Sequence, residues 1–210
     1  MGDVPLDVTS AIGDLHGRLV HSRRVQVLCK HLVEMIPPGT TILDVGCGDG
    51  LIDSLLLDQR PDLQISGIDV LARPAARIPV CKFDGMTIPH PGKSFDLVMF
   101  LDVLHHTEDP MILLREARRV ARSSIVIKDH LRCGFAASAV LRFMDWVGNA
   151  PHNVVLTYNY WPEARWRQAF AQLDAQLTEY RDRLGLYPAP ASWVFERSLH
   201  FLARLDLRSS

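Results

Sequence analysis

The segment Ile42-Leu43-Asp44-Val45-Gly46-Cys47-Gly48-Asp49-Gly50 constrains this chain more than any other. A short β-rich run, Thr41 to Val45, enters glycines at alternate positions and continues into an apolar helical stretch from Leu51 to Leu57. Glycine tolerates positive φ and lets a ligand lie against bare backbone, while the first turn of the next helix offers N–H groups unpaired within it. A ligand at the strand tip is therefore expected. With Gly46 and Gly48 as the first members of a G-x-G-x-x-G fingerprint, the third position falls on Leu51, which disfavours a nicotinamide cofactor and a hydride-transfer enzyme.

Around this unit, helical and strand-like segments alternate. Val20 to Ile36 has mostly helical apolar spacing and stops at Pro37-Pro38-Gly39. Strands are predicted at Leu63 to Asp69, more weakly at Ile78 to Phe83, then at Phe95 to Leu101 and Ser124 to Lys128, with a helix over Pro110 to Ala121. Near-continuous apolar strands separated by helices predict a doubly wound α/β fold, its parallel sheet covered on both faces. Beyond Asp129 the pattern predicts a helix over Phe135 to Val147, a lid or insertion from Asn149 to Trp161, and a helix over Glu163 to Leu173. Gln176 to Tyr180 and Trp193 to Leu205 read as a closing antiparallel strand pair at the sheet edge. One domain over 1–210 is expected: a helical cap (1–38), a cofactor-binding core (39–130), a substrate lid (131–174) and the closing pair (175–210).

Charge narrows the class of partner. Lys and Arg number 23 against 24 Asp and Glu, a net charge of −1, so no long-range field gathers nucleic acid or an anionic membrane. No apolar run approaches the roughly 18 residues of a spanning helix, and Met1 to Ser10 lacks the order of a secretion signal. A cytoplasmic location is expected. Cys29, Cys47, Cys81 and Cys133 form no CxxC pair and are read as reduced, mostly buried packing residues.

Acidic residues follow the strands in an informative order. Asp44 precedes Gly46 by two positions, and Asp69 ends the second strand 19 residues past Gly50, where a carboxylate can accept both hydroxyls of a ribose. In Phe83-Asp84-Gly85-Met86, the acid could accept from an exocyclic amine and Met86 could cover a purine face. With these residues, the stretch from Thr41 to Lys128 resembles the class I S-adenosylmethionine-dependent methyltransferases, more narrowly the type 11 and ubiquinone-biosynthesis methyltransferases. LDVGCGDG matches the first motif of that family, GID the ribose acid, FDG the adenine contact, and Phe95 to His106 the fourth strand and its turn. The resemblance implies a seven-stranded, mostly parallel Rossmann-like sheet in the order 3-2-1-4-5-7-6, with an antiparallel C-terminal strand. It implies S-adenosylmethionine as cofactor and S-adenosylhomocysteine as product, held by Asp44, Gly46, Cys47, Gly48, Asp69, Val70, Asp84, Gly85, Met86 and Leu101. A cofactor-binding accessory or regulatory protein without methyl transfer is the alternative.

Methyl transfer is an in-line displacement, so alignment can supply about 7–11 kcal/mol against about 3–5 kcal/mol from a general base. A base matters chiefly for a hydroxyl acceptor. His105 is the candidate for it at the end of the fourth strand, and His106, His130, His152, Tyr158 and Tyr160 are candidates for the substrate side. Trp146, Trp161 and Trp166, together with those tyrosines, either wall an apolar pocket or join the core. No metal is expected, because the histidines lack HxxxH or HxxEH spacing. Gly13-Asp14-Leu15-His16-Gly17 copies a metallophosphoesterase string, but no strand precedes it; it is read as part of an N-terminal segment folding over cofactor or substrate. The expected acceptor is a small, partly apolar metabolite, with O-methylation favoured; no oligomeric state is implied.

Overall fold

The computed structural model describes residues 8–71, 75–149, 157–196 and 198–208, with side chains for 22–71, 75–146, 157–196 and 198–208. A seven-stranded sheet runs in the order β3-β2-β1-β4-β5-β7-β6. Its strands are β1 (Thr41–Val45), β2 (Gln64–Asp69), β3 (Val80–Lys82), β4 (Phe95–Leu101), β5 (Ala121–His130), β6 (Ala175–Arg181) and β7 (His200–Leu207). The first five strands pair in parallel, and β7 is antiparallel to both β5 and β6.

Alternation along each strand builds two apolar layers. In β4, Val98 and Phe100 join one cluster while Leu97 and Met99 join the other; in β5, Ile125 and Ile127 part from Val126 in the same way. The first layer is closed by α3 (Pro110–Val120) and α5 (Glu163–Gln172), through Leu113, Leu114, Ala117, Trp166 and Phe170. The second is closed by α1 (Val8–Met35) and α2 (Leu51–Gln59), through Leu28, Leu32 and Leu56. On α1 the buried residues Val25, Leu28, Cys29, Leu32 and Met35 follow the three-and-four spacing of one helix face. Helix α3 starts sharply: Pro110 occupies its first turn and the Asp109 carboxylate accepts the Met111 N–H at 3.0 Å.

Several boundaries depart from the sequence reading. Helix α1 begins at Val8 rather than Val20, so Gly13 to Gly17 is helical; its side chains, and hence what it covers, lie outside the described ones. Strand β3 shrinks to three residues at the sheet edge. Ser192–Phe195 is a short helix, α6, so the last strand begins at His200 instead of Trp193. Of the closing pair only β6 lies at the edge; β7 is interior, because Phe201, Ala203 and Leu205 feed one apolar layer and Leu202 the other. Of the cysteines, Cys29 is buried and Cys47 half-buried, but Cys81 and Cys133 are exposed, against the expectation of burial.

Candidate active site

Strand order reverses between β1 and β4, which lie side by side while their outward neighbours diverge. At such a switch point the loops beyond the carboxyl ends of the strands leave a crevice. Here it is a cleft of about 470 Å3. Gly46 and Gly48 line it from the β1 loop, Asp69, Val70 and Leu71 from β2, Phe83, Gly85 and Met86 from β3, and Asp102, Val103, His106, Thr107, Glu108 and Asp109 from β4. Ile112 and Leu113 of α3 close its far side.

The β1 loop is shaped by its glycines and tied down by β2. Gly46, with φ +80°, donates its N–H to the Ile68 carbonyl at 2.7 Å. A Cβ at Gly46 would meet Val103 at 2.6 Å, whereas one at Gly48, with φ +61°, would meet nothing within 4 Å. Gly48 therefore borders open cleft, as a backbone cradle for a ligand should. Asp69 accepts the Gly48 N–H at 2.9 Å on one oxygen and the Leu71 N–H at 2.8 Å on the other, leaving each with a further lone pair. Asp84 accepts the N–H groups of Met86 and Thr87 at 2.8 and 2.7 Å, which turns the chain so that Gly85 and Met86 reach the cleft. Asp102 takes a left-handed φ of 58° there and forms an ion pair with the buried Lys128.

Asp84 itself, Cys47, Leu101 and Asp44, all expected to hold the cofactor, do not line the cleft. Cys47 turns its thiol toward Gly67, where a Cβ would meet the sulfur at 2.3 Å. Leu101 packs against the second apolar layer. Asp44 is buried; burial and the neighbouring Asp53 carboxyl push it well above the usual carboxylate range. Asp53, on α2, is pushed up to about 6, mainly by burial. No described donor hydrogen-bonds to Asp44 Oδ1 or either Asp53 oxygen, so a proton held by the pair is the compensation at hand.

Behind the β4 side lies a buried polar cluster. Leu104–His106 forms a 3-10 turn that puts His106 on the cleft wall and His105 beneath it, 1% exposed and absent from the lining. The residue expected to face the transferred group is thus one position off. His105 Nδ1 is 2.6 Å from Asp129 Oδ1, and its Nε2 is 3.4 Å from Asp145 Oδ2 on α4 (Ala137–Asn149). Burial alone would lower the His105 imidazole, but Asp129 and Asp145 outweigh it and push it up to about 10. A group so held is a poor base at neutral pH. Burial and the adjacent His105 cation press His106 down to about 4, so the ring on the wall is neutral. His130 is buried 3.3 Å from His105 and is also lowered, by burial first.

The segment read as a lid is bound to the cleft rim over its described part. Thr157 and the Asn159 N–H donate to the His105 carbonyl at 2.7 and 3.2 Å, and the Asn159 amide donates to the carbonyls of Thr107 and Glu108 at 3.0 Å. Tyr160 is buried and its hydroxyl donates to Asp145; Tyr158 packs beside it. Trp161 and Trp166 belong to the core with Phe170 and Phe201 and do not wall the cleft, while Trp146 is exposed. His152 lies outside the described residues. Sequence reasoning missed Asp102, Val103 and Thr107 to Asp109, although the LDVLHH turn after the fourth strand already pointed there.

A family model described as a methyltransferase domain matches residues 20–180. The chain belongs to the class I methyltransferase family. The chain shares 27% identity over 150 residues with the 2-methyl-6-phytyl-1,4-hydroquinone methyltransferase of Synechocystis, a match covering 67% of this chain and 42% of that protein. It shares 30% identity over 110 residues with the 27-O-demethylrifamycin SV methyltransferase of Amycolatopsis mediterranei, covering 45% of this chain and 40% of that one. The matches thus span about two fifths of these relatives. In fold the chain is similar to a Haloferax volcanii protein solved in complex with a methyltransferase activator, with a TM-score of 0.66, 16% identity, and coverage of 99% and 100% of the two chains.

Proposed function

We propose that this methyltransferase moves a methyl group from S-adenosylmethionine to a hydroxyl of a small, partly apolar metabolite in the cytoplasm. One observation carries the reading: backbone from the glycine loop, the Asp69 carboxylate, and Gly85 with Met86 converge on one cleft from three strand ends, and His106 lines the same cleft. The residues suit the group, since Gly48 leaves space that any Cβ would enter and Asp69 keeps acceptor capacity for a diol. S-adenosylmethionine supplies a cationic sulfonium whose methyl is open to in-line attack.

In this reading Gly46 and Gly48 pass the methionine part along bare backbone, Asp69 accepts from the ribose, and Gly85, Met86 and Val70 bracket the adenine. Asp84 acts through the turn it caps. Asp102 adds a carboxylate to the sulfonium side, fixed by Lys128. Asp44 acts indirectly, as a protonated partner of Asp53 that supports the β1 strand. His106, neutral and on the wall, is placed to accept a proton from or orient the acceptor hydroxyl; His105 positions it from behind. Thr107, Glu108, Ile112 and Leu113 give the acceptor side its mixed polar and apolar character. Two relatives are named for 27-O-demethylrifamycin SV and for 2-methyl-6-phytyl-1,4-hydroquinone, and both names fit an acceptor that carries a hydroxyl.

The test is calorimetric titration with S-adenosylhomocysteine, followed by transfer of labelled methyl from S-adenosylmethionine into a metabolite extract. Saturable binding that Asp69→Ala weakens at least tenfold, with label entering a small molecule, is the expected result. No heat with the unmodified protein overturns the reading.

A further inference from the structure

We propose that His105, His106 and Asp145 form a site for a divalent transition-metal ion of the zinc class, behind the acceptor wall of the cleft. One donor atom from each lies within 4.8 Å of the other two. On His105 that atom is Nε2, because Nδ1 is taken by Asp129 at 2.6 Å. On His106 the buried candidate is Nδ1, which has no hydrogen-bond partner among the described residues; His105 Nε2 is likewise buried without a hydrogen bond among them, with Asp145 as an ionic neighbour at 3.4 Å. These two buried ring nitrogens, beside the Asp145 carboxylate that also accepts from the Tyr160 hydroxyl, lack among the described residues the pairing that buried polar atoms normally find. An ion supplies it.

The surroundings are those of a metal-bound histidine. Such an imidazole usually gives its other N–H to a carboxylate that fixes its tautomer and direction. Asp129 does this for His105 and is itself anchored, since the backbone N–H groups of Leu104 and His130 also donate to it at 2.9 and 2.6 Å. Those contacts make Asp129 an orienting group and disfavour the other close trio, His105, Asp129 and His130. Two imidazoles and a carboxylate suit zinc-like ions, whereas calcium and magnesium prefer oxygen alone.

The ligands sit 39 residues apart or more between the β4 turn and α4, from His106 to Asp145, so no spacing in the sequence announces them. An ion there would clamp α4 to the turn and leave the proton of His106 on Nε2, so that of its two roles the wall residue keeps the orienting one, through its N–H, and the hydroxyl proton leaves to solvent. That consequence rests on the proposed function; ion binding does not.

Chelator-treated protein titrated with Co2+ and read by visible absorption tests the site. The expected result is one Co2+ per chain with ligand-field bands of a four- or five-coordinate ion, displaced by Zn2+. The bands should vanish in His106→Ala and in Asp145→Asn, persist in Phe143→Ala, and need about 10–100-fold more metal in Asp129→Asn, which keeps the ligands but weakens their orientation. Absence of bands in the unmodified protein, or bands unchanged in both ligand variants, overturns the proposal. S-adenosylhomocysteine titration of the same unmodified protein separates the two ideas: its binding without Co2+ uptake removes the metal site alone, and Co2+ uptake without its binding removes the cofactor reading alone.

Discussion

The Asp69 carboxylate and the Gly48 backbone N–H meet at 2.9 Å, joining the tip of β2 to the glycine loop that leaves β1. Because the same carboxylate also accepts from Leu71 at 2.8 Å, it shapes both edges of the cleft before any ligand arrives. Preorganisation of this kind lowers the ordering cost of binding.

Asp69→Ala should therefore act twice. Affinity for S-adenosylhomocysteine falls at least tenfold, and unfolding stability drops by about 1.5–3 kcal/mol, the worth of a hydrogen bond to a charged group. Calorimetry and denaturant unfolding measure the two losses; a variant as stable as the parent would show that the carboxylate does not hold the loop.

The neighbouring glycines should separate fold from ligand. Gly48→Ala puts a methyl where nothing lies within 4 Å, so its stability cost is that of left-handed backbone, about 1–2 kcal/mol, while ligand affinity collapses. Gly46→Ala must also displace Val103, whose nearest carbon would be 2.6 Å away, and should unfold at lower denaturant than Gly48→Ala. The order of the two midpoints is the readout.

Burial raises Asp53 to about 6 in the folded protein, above its ordinary value of 3.8. Between those values the folded chain binds more protons than the unfolded one, so this group makes stability fall as pH rises through about 4 to 6 and stay lower above it. Asp53→Asn removes the effect. Near pH 4 the variant and parent should match, and at pH 8 the variant should be more stable by on the order of 1–3 kcal/mol. Equal stability across the range would mean that Asp53 titrates normally.

Trp166 is 1% exposed against Trp161, Phe170 and Phe201, with its indole N–H on the His130 carbonyl at 3.2 Å. Trp166→Ala should cost about 3–5 kcal/mol and leave ligand affinity of the folded protein unchanged. Lost affinity without lost stability would return this residue to the pocket wall.

Much of the frame was legible because its rules are local. Phe95–Leu101 is a strand at the residues its apolar run marks, and Asp109-Pro110 starts a helix for reasons contained in three or four residues. The positive φ of Gly46 and Gly48 follows from the same economy of scale: the turn between strand and helix admits little else. Strand burial on both faces could also be read, since apolar runs of that length need two covers.

Which of two adjacent histidines reaches the cleft could not be read, because the answer depends on Asp129 of β5 and Asp145 of α4 closing around His105. The tryptophans went to the core and the last strand to the sheet interior for a similar reason, as both were settled by the faces that α5, β5 and β6 leave uncovered. Order along the chain determined the cofactor-type loop, the acids at strand ends and the layered α/β frame through backbone sterics and side-chain periodicity. Tertiary structure alone decided the buried histidine–carboxylate cluster and the wall it supports, since those charges balance only among residues brought together from distant elements.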